Sequence, residues 1–69
     1  MTLGEMIRYH RRLTGLTQLE LADNIGVTDT HISHLENDKA LPSIDLLQKM
    51  GNEFGVLVKI RFDRSQAMV

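Results

Sequence analysis

Cysteine, long apolar runs and catalytic groupings of side chains are all missing from this 69-residue chain. Without cysteine it has no disulfide and no thiolate metal site. No apolar run approaches the roughly 18 residues of a membrane-spanning helix, and there is no signal-peptide pattern. No nucleophile lies in a pattern with a base, and no glycine-rich phosphate loop occurs, so we expect neither an enzyme nor a bound cofactor. The length limits the chain to one domain, for which the cytoplasm is the default location.

An excess of positive charge is also missing. The formal net charge is −1 at pH 7 and the pI is about 6.2. Nucleic-acid-binding domains are usually basic, so this balance counts against such a function. Any phosphate binding would therefore depend strongly on helix N-termini and backbone amides, with a modest dependence on salt. Six of the eight Lys and Arg side chains cluster in the first predicted helix and near the C-terminus: Arg8, Arg11, Arg12, Lys59, Arg61 and Arg64.

The most informative stretch is Gln18–Asn37, whose pattern predicts two short helices joined by a tight turn. Apolar residues recur at helical spacing as far as Ile25. Gly26 suits the left-handed cap that ends a helix, and Thr28 is a good N-cap for the next one.

The second of these helices has two different faces. Ile32 and Leu35 lie three residues apart and share an inward face. A helix anchored on one side, with hydrogen-bonding groups on the other, suits the major groove of DNA. The outward face is polar and carries Asp29, Thr30, Ser33, His34 and Asn37.

The stretch TQLELADNIGVTDTHISHLEN resembles the helix-turn-helix of the lambda-repressor and Cro-like family of DNA-binding proteins. The likeness extends from about Leu3 to Val56. It implies an all-α, four-helix domain over residues 1–55. Its specificity comes from a combination of positions: Gln18 opening the first motif helix, Ala22 at the helix crossing, Gly26 in the turn, and Leu35, Glu36 and Asn37 closing the recognition helix.

Capping residues and apolar stripes predict the four helices in more detail. Gly51 lies inside the last helix at a cost of about 1 kcal/mol relative to Ala, so we expect a close helix–helix approach there. The predicted N-caps are Thr2, Thr17, Thr28 and Ser43, with Glu5 and Glu20 completing capping boxes. The predicted inward stripes are Leu3, Met6, Ile7, His10 and Leu13 on the first helix, and Ile44, Leu47, Met50, Gly51 and Phe54 on the fourth.

After Gly55 the apolar residues alternate with period two, which predicts a β-strand over residues 56–62. A lone strand cannot satisfy its backbone hydrogen bonds. We therefore expect it to pair antiparallel with the same strand of a second copy, across a two-fold axis. Residues 63–69 would then be a flexible tail. The expected dimer interface consists of Val56, Val58, Ile60 and Phe62.

The family resemblance also implies which residues meet DNA. Asp29 has two interpretations, since its carboxylate could accept from cytosine N4 or stabilise the start of the helix. Lys39 could equally be a solvated loop charge. The expected DNA-binding residues are Gln18, Asn37 and Lys39 at phosphates, with Gln18 also bracing the recognition helix, and Thr28, Asp29, Thr30, Ser33 and His34 at bases and flanking phosphates.

Other polar residues are given different roles. The resemblance implies an ion pair between Arg11 and Glu36 that ties the first helix to the recognition helix. Arg8 and Arg12 remain candidates for phosphate contact. His31 and His34 are three residues apart on one helix, but zinc usually needs a third protein ligand and the sequence supplies no evident one, so no metal is expected.

The resemblance, together with the predicted pairing strand, implies a repressor that binds a palindromic operator as a homodimer. One alternative is an antitoxin that binds a toxin protein and represses its own operon, because that subset of the family has a C-terminal pairing strand. A toxin gene beside this one would favour it. Another alternative is an interaction module without DNA binding, which the acidic residues of the motif permit.

Overall fold

The computed structural model describes residues 1–60, and these residues form four α-helices. Helices α2 and α3 form the helix-turn-helix, and α1 and α4 pack against them. The all-α, four-helix arrangement expected from the sequence is confirmed. The helices are α1 (Leu3–Thr14), α2 (Gln18–Ile25), α3 (Asp29–Glu36) and α4 (Ile44–Phe54).

Hydroxyl side chains begin all four helices, as predicted. Each accepts a hydrogen bond from a backbone N–H in the first turn, which satisfies a donor that has no partner within the helix. In the turn between α2 and α3, Gly26 adopts φ 78°, a left-handed conformation that a side chain would strain. The N-caps are Thr2, Thr17, Thr28 and Ser43, and both predicted capping boxes are present.

The core lies where α2 and α3 meet the inner faces of α1 and α4. Its members are apolar and almost fully shielded from solvent, so the hydrophobic effect holds the four helices together. None of these helices is long and apolar enough to cross a bilayer. The buried apolar residues are Ile7, Leu21, Ala22, Ile25, Ile32, Leu35 and Met50.

The predicted inward stripe of α1 is only partly correct. Ile7 is buried, but Leu13 is 67% exposed, and Leu3 and Met6 are only partly covered, at 37% and 44% exposure. The helix instead turns a face containing Gly4, Ile7 and Arg11 toward the core. An added Cβ on Gly4 would lie 2.5 Å from the carbonyl oxygen of Glu36. The start of α1 therefore rests directly on the end of α3.

Helix α4 differs from the prediction at two positions. Ile44 is 56% exposed and does not belong to the inner stripe. Gly51 is at a close approach, but its neighbour is not another helix. An added Cβ would lie 2.6 Å from Cγ2 of Val58, so Gly51 makes room for the segment that follows α4.

The described part of that segment, Val56–Ile60, has no regular secondary structure within the single chain. Its exposure nevertheless alternates. Leu57 is 79% exposed, whereas Val56 is 38% exposed and Val58 is half-buried against Gly51. This alternation is typical of an extended backbone. Phe62 and the expected tail at residues 63–69 lie outside the described residues, so the strand over 56–62 stays a prediction.

A candidate DNA interface on the recognition helix

Helix α3 presents a polar face to solvent because its apolar face is locked into the core. Ile32 is fully buried and Leu35 is 1% exposed. This anchoring leaves the hydrogen-bonding side chains outward along the whole length of the helix. The predicted base-reading residues lie there: Thr28, Asp29, Thr30 and His34 are exposed, and Ser33 is half-buried.

The first turn of α3 is stabilised by its own side chains. The Thr28 hydroxyl accepts from the backbone N–H of His31 at 3.1 Å, and Asp29 Oδ1 accepts from the N–H of Thr30 at 2.9 Å. Of the two interpretations of Asp29, the structure shows the role at the helix start, where an acid also favours the helix dipole. Its contact with cytosine stays a prediction.

Glu36, at the end of α3, is the organising residue of the site. Its side chain is completely buried and accepts from three side chains. Arg11 donates from Nε and, at 3.1 Å, from Nη2; the ion pair implied by the resemblance is therefore present. Arg8 Nε and Gln18 Nε2 both donate to Glu36 Oε1, at 3.3 Å and 3.1 Å. Helices α1 and α2 are thus both tied to the end of the recognition helix.

The charge state of Glu36 follows from these contacts. Burial raises the pKa of the Glu36 carboxyl, but hydrogen bonds from Arg11 and Gln18 and the charge of Arg11 lower it, and the net shift is downward. Glu36 is therefore ionised near neutral pH. A buried carboxylate with hydrogen-bonded cationic partners holds them in fixed positions, because losing one leaves a charge uncompensated.

Gln18 makes the bracing contact expected of it. A carboxylate only accepts, so the Gln18 amide must turn its NH₂ group toward Glu36. The second hydrogen of that NH₂ group and the backbone N–H at the start of α2 remain suitable donors for a phosphate. The phosphate contact itself stays a prediction.

Asn37 caps the end of α3 and is held on two sides. Its Nδ2 donates to the carbonyl oxygen of Ser33 at 2.8 Å, and its Oδ1 accepts from Arg8 Nη2 at 3.0 Å. Arg8, a candidate for phosphate contact in the sequence, therefore has two partners within the protein. Lys39 has an exposed side chain, while its backbone N–H donates to the carbonyl oxygen of His34 at 2.8 Å.

Asp38 is a structural residue that the sequence analysis missed. It is the only described non-glycine residue with a left-handed backbone, at φ 59°. Its carboxylate accepts from the Thr2 hydroxyl at 2.6 Å and from the backbone N–H of Gly4 at 2.9 Å. These two hydrogen bonds lower the pKa of Asp38. The signal was a short acid directly after the helix end, since Asp and Asn tolerate this conformation.

The histidines occupy separate environments. The ring of His10 stacks on Phe54 with centroids 6.1 Å apart. His31 is half-buried and His34 is exposed on α3. Within residues 1–60, no group of three or more His, Asp or Glu side chains is placed to hold a metal ion.

Comparisons with known proteins agree with this geometry. The family model described as Helix-turn-helix matches residues 7–58. An HTH-type transcriptional regulator of Methanothermobacter thermautotrophicus is 42% identical over 50 residues, which are 72% of each chain. The immunity repressor of Bacillus phage phi105 is 29% identical over 58 residues, covering 84% of this chain but only 40% of the repressor.

A solved structure shares the fold. The P22 c2 repressor, crystallised with synthetic operator 9T, superposes with a TM-score of 0.77 at 24% identity, over 83% of this chain and 86% of that one. The chain therefore belongs to the lambda-repressor-like helix-turn-helix family of DNA-binding transcriptional regulators.

Proposed function

We propose that the protein is a repressor that binds a two-fold-related DNA operator as a homodimer in the cytoplasm. The observation that carries this proposal is the construction of α3. Its polar face is open to solvent, while the Glu36 network fixes its far end against α1 and α2. A rigid helix with an exposed polar face suits direct reading of bases in the major groove. The P22 c2 repressor, which has the same fold, is seen bound to operator DNA.

The contacts divide into two groups in this proposal. Thr30, Ser33 and His34 lie on the open face of α3 and read base edges, with Thr28 and Asp29 at its start. Gln18, Asn37 and Lys39 lie near the ends of α2 and α3 and hold phosphates. Contacts with phosphates fix the position of a protein on the duplex, and contacts with bases give specificity.

The homodimer rests on the segment after α4. In this segment Val58 is half-buried and Val56 is 38% exposed, and both border a groove of about 430 Å³ that α1 and α4 complete with apolar residues such as Met6 and Phe54. Pairing this segment with its copy would satisfy backbone groups of both chains and cover the groove. A dimer also places two recognition helices on one face of the duplex, about one helical turn apart.

Selection from random duplexes, followed by binding measurements at one fixed salt concentration, tests the proposal. Ser33→Ala or His34→Ala should cost about 1–3 kcal/mol on the selected site if the residue contacts a base, with little change on random DNA. Gln18→Ala and Lys39→Ala are matched controls that should weaken binding to both duplexes similarly.

Two results would count against the proposal. If the Ser33 and His34 variants select the same site as the parent with the same affinity, neither residue reads bases. If the parent chain retards no duplex, the interaction-module alternative is favoured, and the proposed function is wrong.

A further inference from the structure

We propose that Arg8 is a positioning residue for DNA binding, which fixes the Asn37 amide so that its NH₂ group is presented to a phosphate. This inference rests on the proposed function, in which Asn37 contacts the DNA backbone. Arg8 itself lies on α1, outside the helix-turn-helix. Its role would therefore be to act through Asn37 rather than through a contact of its own.

Hydrogen bonds through Arg8 connect the buried side chain of Glu36 with Asn37 at the surface. The side chain of Glu36 is 0% exposed and accepts from Arg8 Nε at 3.3 Å. Arg8 Nη2 then donates to Asn37 Oδ1 at 3.0 Å, and lies 3.5 Å from the backbone carbonyl oxygen of Glu36. A planar guanidinium presents several donors in a fixed fork, so one side chain can hold both acceptors at once.

The chemistry of the partners allows only one orientation of the Asn37 amide. Arg8 has donors and no acceptor, so the amide must turn its oxygen toward Arg8. On the other side, the backbone carbonyl of Ser33 only accepts, so the amide must turn its nitrogen there, at 2.8 Å. The NH₂ group consequently lies on the Ser33 side, which is the proposed DNA-facing side of α3.

This orientation matches what a phosphate needs. One hydrogen of Asn37 Nδ2 is used by the Ser33 carbonyl, while the second has only the Ser33 hydroxyl oxygen, 3.5 Å away. That second hydrogen remains available for an anion. A free amide could instead turn its oxygen toward the phosphate, where two partial negative charges would repel. Arg8 and the Ser33 carbonyl together exclude that orientation before DNA arrives, which lowers the ordering cost of binding.

A double-mutant cycle on a random-sequence duplex tests this role, because a phosphate contact does not require the operator. In the parent chain, Asn37→Ala should weaken binding about three- to tenfold, the net worth of one hydrogen bond. In an Arg8→Ala background, Asn37→Ala should have a clearly smaller effect on affinity than in the parent, because the Ser33 carbonyl alone then holds the amide.

Arg12→Ala is the matched control. Arg12 is exposed one turn further along α1 and carries the same charge. Its removal lowers affinity by whatever its charge contributes, but Asn37→Ala should keep its full effect in that background. Should Arg8→Ala unfold, Arg8→Lys replaces it, since one ammonium keeps the charge and the pair with Glu36 but cannot hold both acceptors.

The outcomes separate the inference from the proposed function. If the parent chain binds no duplex, the proposed function itself is wrong. An equal effect of Asn37→Ala in the parent and Arg8-substituted chains would overturn the positioning role, and so would no effect of Asn37→Ala in the parent. Coupling in thermal unfolding with none in DNA affinity would show that the contact is only structural, which also overturns it.

Discussion

At the scale of single residues, one buried carboxylate joins the end of α3 to two other helices. Glu36 gathers donors from Arg8, Arg11 and Gln18, on two helices, at the point where the recognition helix ends. The same arrangement in water would be worth little, because exposed ion pairs are weak. Because Glu36 is buried, losing any of its partners costs free energy of folding. The network therefore fixes the position of α3 as well as stabilising the fold.

The Glu36 network predicts how stability depends on pH. The folded-state pKa of Glu36 is lowered from its ordinary value of 4.5, so its contribution is complete above that value and is lost as pH falls through the lower, folded-state pKa. Asp38, Glu5 and Glu20 are also shifted downward and act in the same direction. We therefore expect the melting temperature to fall steeply below pH about 4.5.

Glu36→Gln provides the comparison for this prediction. It should cost about 3–5 kcal/mol near neutral pH, because Arg11 is left buried without its charge partner. It should also flatten part of the acid dependence, while the part due to Asp38, Glu5 and Glu20 remains. Melting curves measured across pH 3–7 check both effects. An unchanged acid profile in the variant would show that Glu36 is not the group responsible.

At the scale of secondary structure elements, local chemistry predicted the helices better than their orientation. The caps Thr2, Thr17, Thr28 and Ser43 place all four helix starts correctly, because a hydroxyl that satisfies a first-turn N–H acts locally. The inward face of α1 was less predictable. Gly4 and Arg11 carry no apolar signal, yet one allows a backbone contact and the other pairs with a buried acid.

In the candidate site, too, features set by local sequence were predictable and contacts between distant residues were not. The exposed face of α3 and the Arg11–Glu36 pair were available from the motif, but two contacts across long sequence separations were not. Arg8 looked like a phosphate ligand because nothing in its local sequence indicates Asn37 as its partner. Asp38 looked like an ordinary loop residue, although it fixes the start of α1 through Gly4. Both roles appear only when the helices pack.

The contact between Gly51 and Val58 gives a prediction about one element. Gly51→Ala should favour α4 by about 1 kcal/mol through helix propensity alone. The added Cβ would, however, lie 2.6 Å from Val58 Cγ2 and 3.0 Å from the carbonyl oxygen of Val56. We therefore expect the segment to leave α4, with hydrogen exchange increasing at residues 56–60 while the other helices stay protected.

Val58→Ala is the partner variant in this experiment, because it removes the methyl group that the new Cβ would meet. The double variant Gly51→Ala/Val58→Ala should recover more of the protection at residues 56–60 than Gly51→Ala retains alone. If Gly51→Ala leaves that segment as protected as the parent, α4 and the segment can separate without cost, and the glycine has no packing role.

At the scale of the whole molecule, the operator-binding unit is proposed to be two chains joined at the segment after α4. The apolar residues at 56, 58 and 60 must face the same side in both copies. Residues directly opposite each other in an antiparallel pair point to the same face. The two-fold axis therefore passes at the position of one residue, which lies opposite its own copy, and not between two residues. An axis at Lys59 would place two ammonium groups opposite each other, which is destabilising. An axis at Val58 places Leu57 opposite Lys59 and Val56 opposite Ile60.

The absence of cysteine from the chain makes this register directly measurable. Only the residue on the axis faces its own copy, with Cβ atoms about 4.5–5.5 Å apart, close to the separation that a disulfide spans. Val58→Cys should therefore form a covalent dimer under mild oxidation, and the neighbouring controls Leu57→Cys and Lys59→Cys should form much less. If Lys59→Cys cross-links fastest, the two-fold axis lies at residue 59 and not at residue 58. If no variant cross-links and the parent sediments as a monomer, the chains do not join at this segment, and the spacing of the recognition helices must be set elsewhere.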